Sequence, residues 1–77
     1  MNPEEIRQTL VKKMPGSEIT VQDMTGTQDH FQVHVMWTGF KGKSLIEQHQ
    51  AVNQALADYL EDGRIHALAI KTFAINH

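Results

Sequence analysis

Between residues 30 and 37 the chain alternates strictly, with Phe31, Val33, Val35 and Trp37 on one side and His30, Gln32, His34 and Met36 on the other. A period of two is that of a β-strand with one packed face. A shorter alternation of polar and apolar residues over residues 18–23 predicts a second, half-buried strand. Thr25, Gly26, Thr27, Gln28 and Asp29 supply turn residues between the two. Upstream, Ile6, Leu10, Val11 and Met14 recur at helical spacing and predict a helix over residues 3–14. Pro3 suits its first position, Glu4 and Glu5 its positive end, and Lys12 and Lys13 its negative end. Pro15 and Gly16 end it.

The second half begins with a glycine-bearing loop over residues 38–43. Ser44 is placed to cap a helix, and Glu47 three residues on completes a capping box. Leu45, Ile46, His49, Val52, Leu56, Tyr59 and Leu60 then form one stripe, with Gly63 as the stop and a bend between Gln50 and Asn53 compatible with the pattern. A last strand is predicted over residues 65–73. Joining it to the preceding strand through a helix implies parallel pairing and a right-handed crossover, because a helical connection returns the chain in the same direction. The expected fold is α+β, with a three-stranded mixed sheet covered by helices on one face.

Seventy-seven residues support one core, since a chain this short buries only about 60% of its unfolded surface. The expectation is a single domain over residues 1–77, without internal repeat or linker. With 40% apolar and 21% charged residues the composition is that of a packed domain. There is no cysteine, so no disulfide and no thiolate metal site. A net charge of −2 argues against a dominant electrostatic grip on nucleic acid. No apolar run approaches the roughly 18 residues of a membrane span. The first residues lack the basic and apolar regions of an export signal, so a cytoplasmic location is expected.

Enzymatic constellations are scarce. The chain has no thiol nucleophile, no phosphate-binding or dinucleotide fingerprint and no zinc-protease motif, and it is not expected to be an enzyme. Five histidines carry more chemistry, because imidazole binds iron through a ring nitrogen and replaces cysteine at one iron of some 2Fe-2S centres. This chain can donate nitrogen but not sulfur.

The segments His30-Phe31-Gln32-Val33, Phe40-Lys41-Gly42-Lys43-Ser44 and Ile65-His66-Ala67 resemble those of the BolA-like family, and the resemblance covers roughly residues 3–74. It implies an α-β-β-α(α)-β domain similar to class II KH domains. It also implies an adaptor that binds a monothiol glutaredoxin of the Cys-Gly-Phe-Ser type for iron–sulfur trafficking or iron and redox regulation. A 2Fe-2S cluster would bridge the two proteins, with sulfur from glutaredoxin and glutathione and nitrogen from this chain; the isolated chain would carry no cofactor. His66 matches the family's shared ligand, and His30 matches the second ligand of the histidine-bearing branch. The histidine that some members carry earlier in that loop is missing here.

From local sequence alone both histidines also read as ordinary polar residues at strand starts. His34 reads as a surface or half-buried residue, His49 as a packed residue on the helix stripe and His77 as a terminal one. The loop at Lys41, Gly42 and Lys43 has two readings as well. In a KH-type regulator it would clamp a nucleic acid backbone, with Arg64 and Lys71 adding phosphate contacts to DNA. Otherwise Gly42 permits a turn, Phe40 packs and the lysines are solvated, which is the favoured reading. The sequence is as compatible with a homodimer as with a monomer.

Overall fold

A computed structural model describes residues 2–26 and 29–75. The predicted turn residues Thr27 and Gln28, and the terminal His77, lie outside the described residues. Helix α1 runs Pro3–Lys13, capped by Asn2, whose side chain accepts from the Glu5 amide at 2.9 Å. Its buried face is Ile6 and Leu10, continued by Met14 at the C-cap. Gly16 turns the chain at φ +82°, and strand β1 follows over Glu18–Asp23. Asp23 then accepts from the amides of Thr25 and Gly26, at 3.2 and 2.9 Å, which folds the chain back.

Strand β2, His30–Trp37, is the centre of the sheet. It pairs antiparallel with β1, with Ile19 opposite Val35 and Val21 opposite Val33. On its other side it pairs in parallel with strand β3, Ala67–Ala74, from His30 opposite Ala67 to Trp37 opposite Ala74. The inner face is formed by Phe31, Val33 and Val35, all buried, flanked by Ile19, Val21, Leu68 and Ile70. Helix α1 lies against β1, and helix α2, Leu45–Ala55, against β3. The outer face, with Thr20, His34 and Lys71 in one row and Glu18, Met36 and Phe73 in another, carries no helix among the described residues. The predicted mixed sheet, covered on one side, is the observed one.

A short 3-10 turn, Thr38–Phe40, ends β2. Phe40 is fully buried and meets the Trp37 ring edge-on at 5.3 Å, while Trp37 Nε1 donates to the carbonyl of Pro15 at 2.9 Å. Gly39 is required there, since a Cβ on it would stand 2.6 Å from that anchored ring. The capping box forms as predicted. The Ser44 amide donates to Glu47 Oε1 at 2.9 Å and the Glu47 amide to Ser44 Oγ at 3.2 Å.

Three expectations need correction. Leu45 and Ile46, placed on the apolar stripe, are 60% and 70% exposed, and Gln48 is buried instead. Ile46 stands about 120° around the helix from Val52. Leu45 shares that face but lies a turn beyond Gln48, where packing has ended. Gln48 is tolerated inside because both ends of its amide are bonded. Its Oε1 accepts from Thr72 Oγ1 at 2.6 Å and its Nε2 donates to the Lys43 carbonyl at 3.0 Å.

The helical segment breaks at Leu56, beyond the predicted bend, giving a separate helix α3, Ala57–Glu61. Leu56 stays in the core at the break, and the change of direction lets Tyr59 share a 3.1 Å hydrogen bond with Thr9 of α1. The last strand begins at Ala67 and not at residue 65. Ile65 is 2% exposed and its amide donates to the Tyr59 carbonyl, which ties it to α3 before the ladder starts.

Candidate functional site

The parallel register places the starts of β2 and β3 side by side. Asp29 precedes β2, and its carbonyl accepts from the amides of His66 and Ala67 at 2.7 and 3.3 Å. These bonds lead directly into the ladder that opens with His30 opposite Ala67. The two candidate ligands therefore meet, although 36 positions separate them in the chain. Their ring centroids are 6.1 Å apart and their planes are inclined by 82°.

Both rings also reach the carboxylate of Asp29. Its Oδ1 lies 2.8 Å from His30 Nδ1 and its Oδ2 3.3 Å from His66 Nδ1. The His30 and His66 side chains keep 42% and 58% of their exposure, whereas Asp29 keeps 28%. An inner carboxylate is thus overlaid by two outward imidazoles. Gly63, at φ +83°, stops the preceding helical segment and lies beneath His66, where an added Cβ would come 3.9 Å from Nε2. Beside His30 a shallow hollow of about 260 Å³ is walled by Met24, Ala67 and Ala69. A hollow of about 310 Å³ between Lys13, Trp37 and Gln54 holds none of the candidate ligands.

His34 and His49 stand apart. His34 is four positions along β2 from His30, in the row between Thr20 and Lys71, and its Nε2 is buried without a hydrogen-bond partner among the described residues. His49 is half-buried on α2.

The five residues of the nucleic-acid reading are spread along the molecule. Arg64 lies at the His66 end, where it pairs with Asp62 at 2.6 Å and covers the Tyr59 ring at 4.7 Å. That pairing holds the Asp62 carboxyl below its usual range and raises the guanidinium. Lys71 lies mid-strand on the outer face, opposite His34. Lys41, Gly42 and Lys43 lie past the far end of β2, after eight strand residues that span about 23 Å. Gly42 does take the left-handed turn, at φ +81°. The lysines flank it beside the exposed Leu45 and Ile46.

In the sequence Asp29 reads only as a turn residue. The available signal was an acid immediately before a candidate ligand. Its reach to His66 becomes legible only once the register of β2 on β3 is known.

Comparison with known proteins agrees with this architecture. The profile of the BolA-like protein family matches residues 7–77. The RP812 protein of Rickettsia prowazekii is 37% identical over 75 residues, which cover 97% of this chain and 96% of that protein. Among solved structures, BolA1 from Arabidopsis thaliana superposes with a TM-score of 0.84 at 28% identity, covering 95% of this chain and 92% of that one. The BolA domain of SufE1 from the same plant gives 0.82 at 30% identity, covering 92% and 88%.

Proposed function

The chain belongs to the BolA-like family, and from that premise we propose that it is a non-enzymatic adaptor that shares a 2Fe-2S cluster with a monothiol glutaredoxin. The observation that carries this reading is the pair of outward imidazoles, His30 and His66, 6.1 Å apart in a chain without cysteine. A 2Fe-2S cluster takes four ligands from its surroundings, and two histidines serve at one iron in some centres. This chain offers two nitrogens. The chain has no cysteine to add sulfur, so on this reading the remaining donors come from outside it. Thiolates from a glutaredoxin cysteine and from glutathione supply what the chain lacks.

The group itself would provide a redox-active, transferable iron–sulfur unit. The chain's own residues bind and orient. His30 and His66 are the donors, and the hollow beside His30 gives an apolar seat for a partner surface next to them. The exposure of both rings is what a shared site needs, since an enclosed ligand would exclude the second protein. A mixed ligand set of two nitrogens and two sulfurs makes the bridge asymmetric, which suits transfer or sensing.

Titrating the protein into a cluster-loaded monothiol glutaredoxin, with visible circular dichroism as the readout, tests this. A new spectrum that saturates at one protein per glutaredoxin is expected. Because protons compete with iron for imidazole nitrogen, acidification should reverse it. Unchanged glutaredoxin spectra at every ratio would refute the proposal.

A further inference from the structure

One carboxylate faces the same atom of both imidazoles. Asp29 Oδ1 is 2.8 Å from His30 Nδ1, and Oδ2 is 3.3 Å from His66 Nδ1. An ionised carboxylate only accepts hydrogen bonds, so His30 Nδ1, which is hydrogen-bonded to it, carries the hydrogen; His66 Nδ1 approaches it at ion-pair distance, where a bare nitrogen lone pair would be repelled and an N–H is favoured. A neutral imidazole has a single N–H, which leaves the lone pair on Nε2.

We propose that Asp29 is a positioning residue that holds His30 and His66 as a matched pair of Nδ1–H tautomers, presenting both Nε2 atoms as the metal-binding nitrogens. The assignment of those nitrogens to iron rests on the adaptor function above; the clamp on the tautomers does not. Metal-binding histidines commonly donate their second ring N–H to a carboxylate, which fixes the ring and its tautomer. Here one carboxylate serves two rings, one at the start of β2 and one on the residue just before β3.

Two features keep this arrangement in place. The backbone of Asp29 is fixed by the same ladder that aligns the histidines, since its carbonyl accepts from the His66 and Ala67 amides. The backbone that carries the carboxylate therefore cannot shift against His66 without breaking bonds at the start of β3. Gly63, next to His66, puts no side chain against Nε2, where a Cβ would stand in van der Waals contact at 3.9 Å. Nitrogen Nδ1 of each ring is turned toward the less exposed carboxylate, and Nε2 is the nitrogen left for a second protein to meet.

The tautomers are read on the isolated, ¹⁵N-labelled protein near pH 8 from two-bond ¹H–¹⁵N spectra of the imidazoles. His30 and His66 should both show the Nδ1–H pattern, with His34 and His49 as internal references. Asp29→Ala should move both rings toward the mixture of free imidazole, by roughly tenfold in tautomer ratio, as befits loss of a hydrogen bond to a charged group. Asp29→Asn preserves size and backbone bonding but has one side-chain oxygen, so only one ring should keep its tautomer. Wild-type rings in the Nε2–H form, or rings unmoved by both variants, would overturn the clamp.

A second readout identifies the ligating nitrogens. Hyperfine spectroscopy of the reduced, bridged cluster, made with histidine labelled at Nε2 or at Nδ1, should show the strong coupling at Nε2; coupling at Nδ1 would overturn the assignment. In Asp29→Asn the affinity for the shared cluster should fall about 10- to 100-fold while the fold is kept. If the wild-type protein forms no heterocomplex, the adaptor function fails, and the tautomer spectra still decide the clamp.

Discussion

Replacing Thr72 with valine removes one hydroxyl and keeps the side chain's shape. In the structure that hydroxyl donates to Gln48 Oε1 at 2.6 Å, at a point where Thr72 is 7% and Gln48 8% exposed. After the change Gln48 Oε1 faces a methyl group with little access to water. A buried acceptor left unsatisfied costs about 1–3 kcal/mol. For a domain of this size, about 2 kcal/mol corresponds to a fall in Tm of roughly 8–16 °C. Urea unfolding should give the same loss with an unchanged slope, since the surface exposed on unfolding is the same. In a Gln48→Met background the acceptor is gone, and Thr72→Val should then cost less than about 0.5 kcal/mol, so the cycle isolates the pair. A Tm within about 2 °C of wild type, or equal costs in the two backgrounds, would refute the buried link between α2 and β3.

Gly39→Ala should destabilise the fold by about 1–3 kcal/mol, because its Cβ would meet a Trp37 ring held by Pro15 and Phe40; thermal melts against Gly42→Ala as a left-handed control separate the clash from backbone strain. Glu47 is held below the ordinary glutamate range, chiefly by the Ser44 amide. Its stabilisation is therefore present above the unfolded value and lost as pH falls through the lowered folded one. Glu47→Gln should accordingly lose less stability than wild type when urea melts are taken from neutral pH down through that acid window. His30→Ala should abolish the bridged-cluster spectrum and His34→Ala should preserve it, as judged by visible circular dichroism; the reverse pattern would move the second ligand to His34.

The elements that follow simple periodicities were legible in the sequence. Alternation over β2 reports a strand with one packed face, and Phe31, Val33 and Val35 are indeed buried in a row. Ser44 and Glu47 carry their capping box in four residues, because both hydrogen bonds are local. What a pattern cannot carry is tertiary reach. Leu45 and Ile46 have the right hydropathy for the stripe yet lie beyond the packing, while Gln48 is inside because Thr72 and Lys43, both distant or off the helix, satisfy its amide. The break at Leu56 likewise has no glycine or proline to mark it and depends on where Tyr59 meets Thr9.

The candidate site divides the same way. The family resemblance singled out His30 and His66, and the parallel register brings them together. The bridging role of Asp29 comes from that register and not from any spacing in the chain. Arg64, Lys71 and the lysines of the glycine loop looked equivalent as charges, and the topology distributes them along the sheet. Charge counts along a sequence do not encode that separation.

In the proposed complex two histidines of one chain complete a ligand set begun by another protein. Native mass spectrometry of an anaerobic mixture with cluster-loaded monothiol glutaredoxin and glutathione weighs that complex directly. One copy of each protein, one glutathione and one 2Fe-2S unit are expected for the wild type, with loss of the iron–sulfur mass from the heterocomplex in His66→Ala. A wild-type heterocomplex without iron, or an iron-containing one that survives His66→Ala intact, would contradict that proposal.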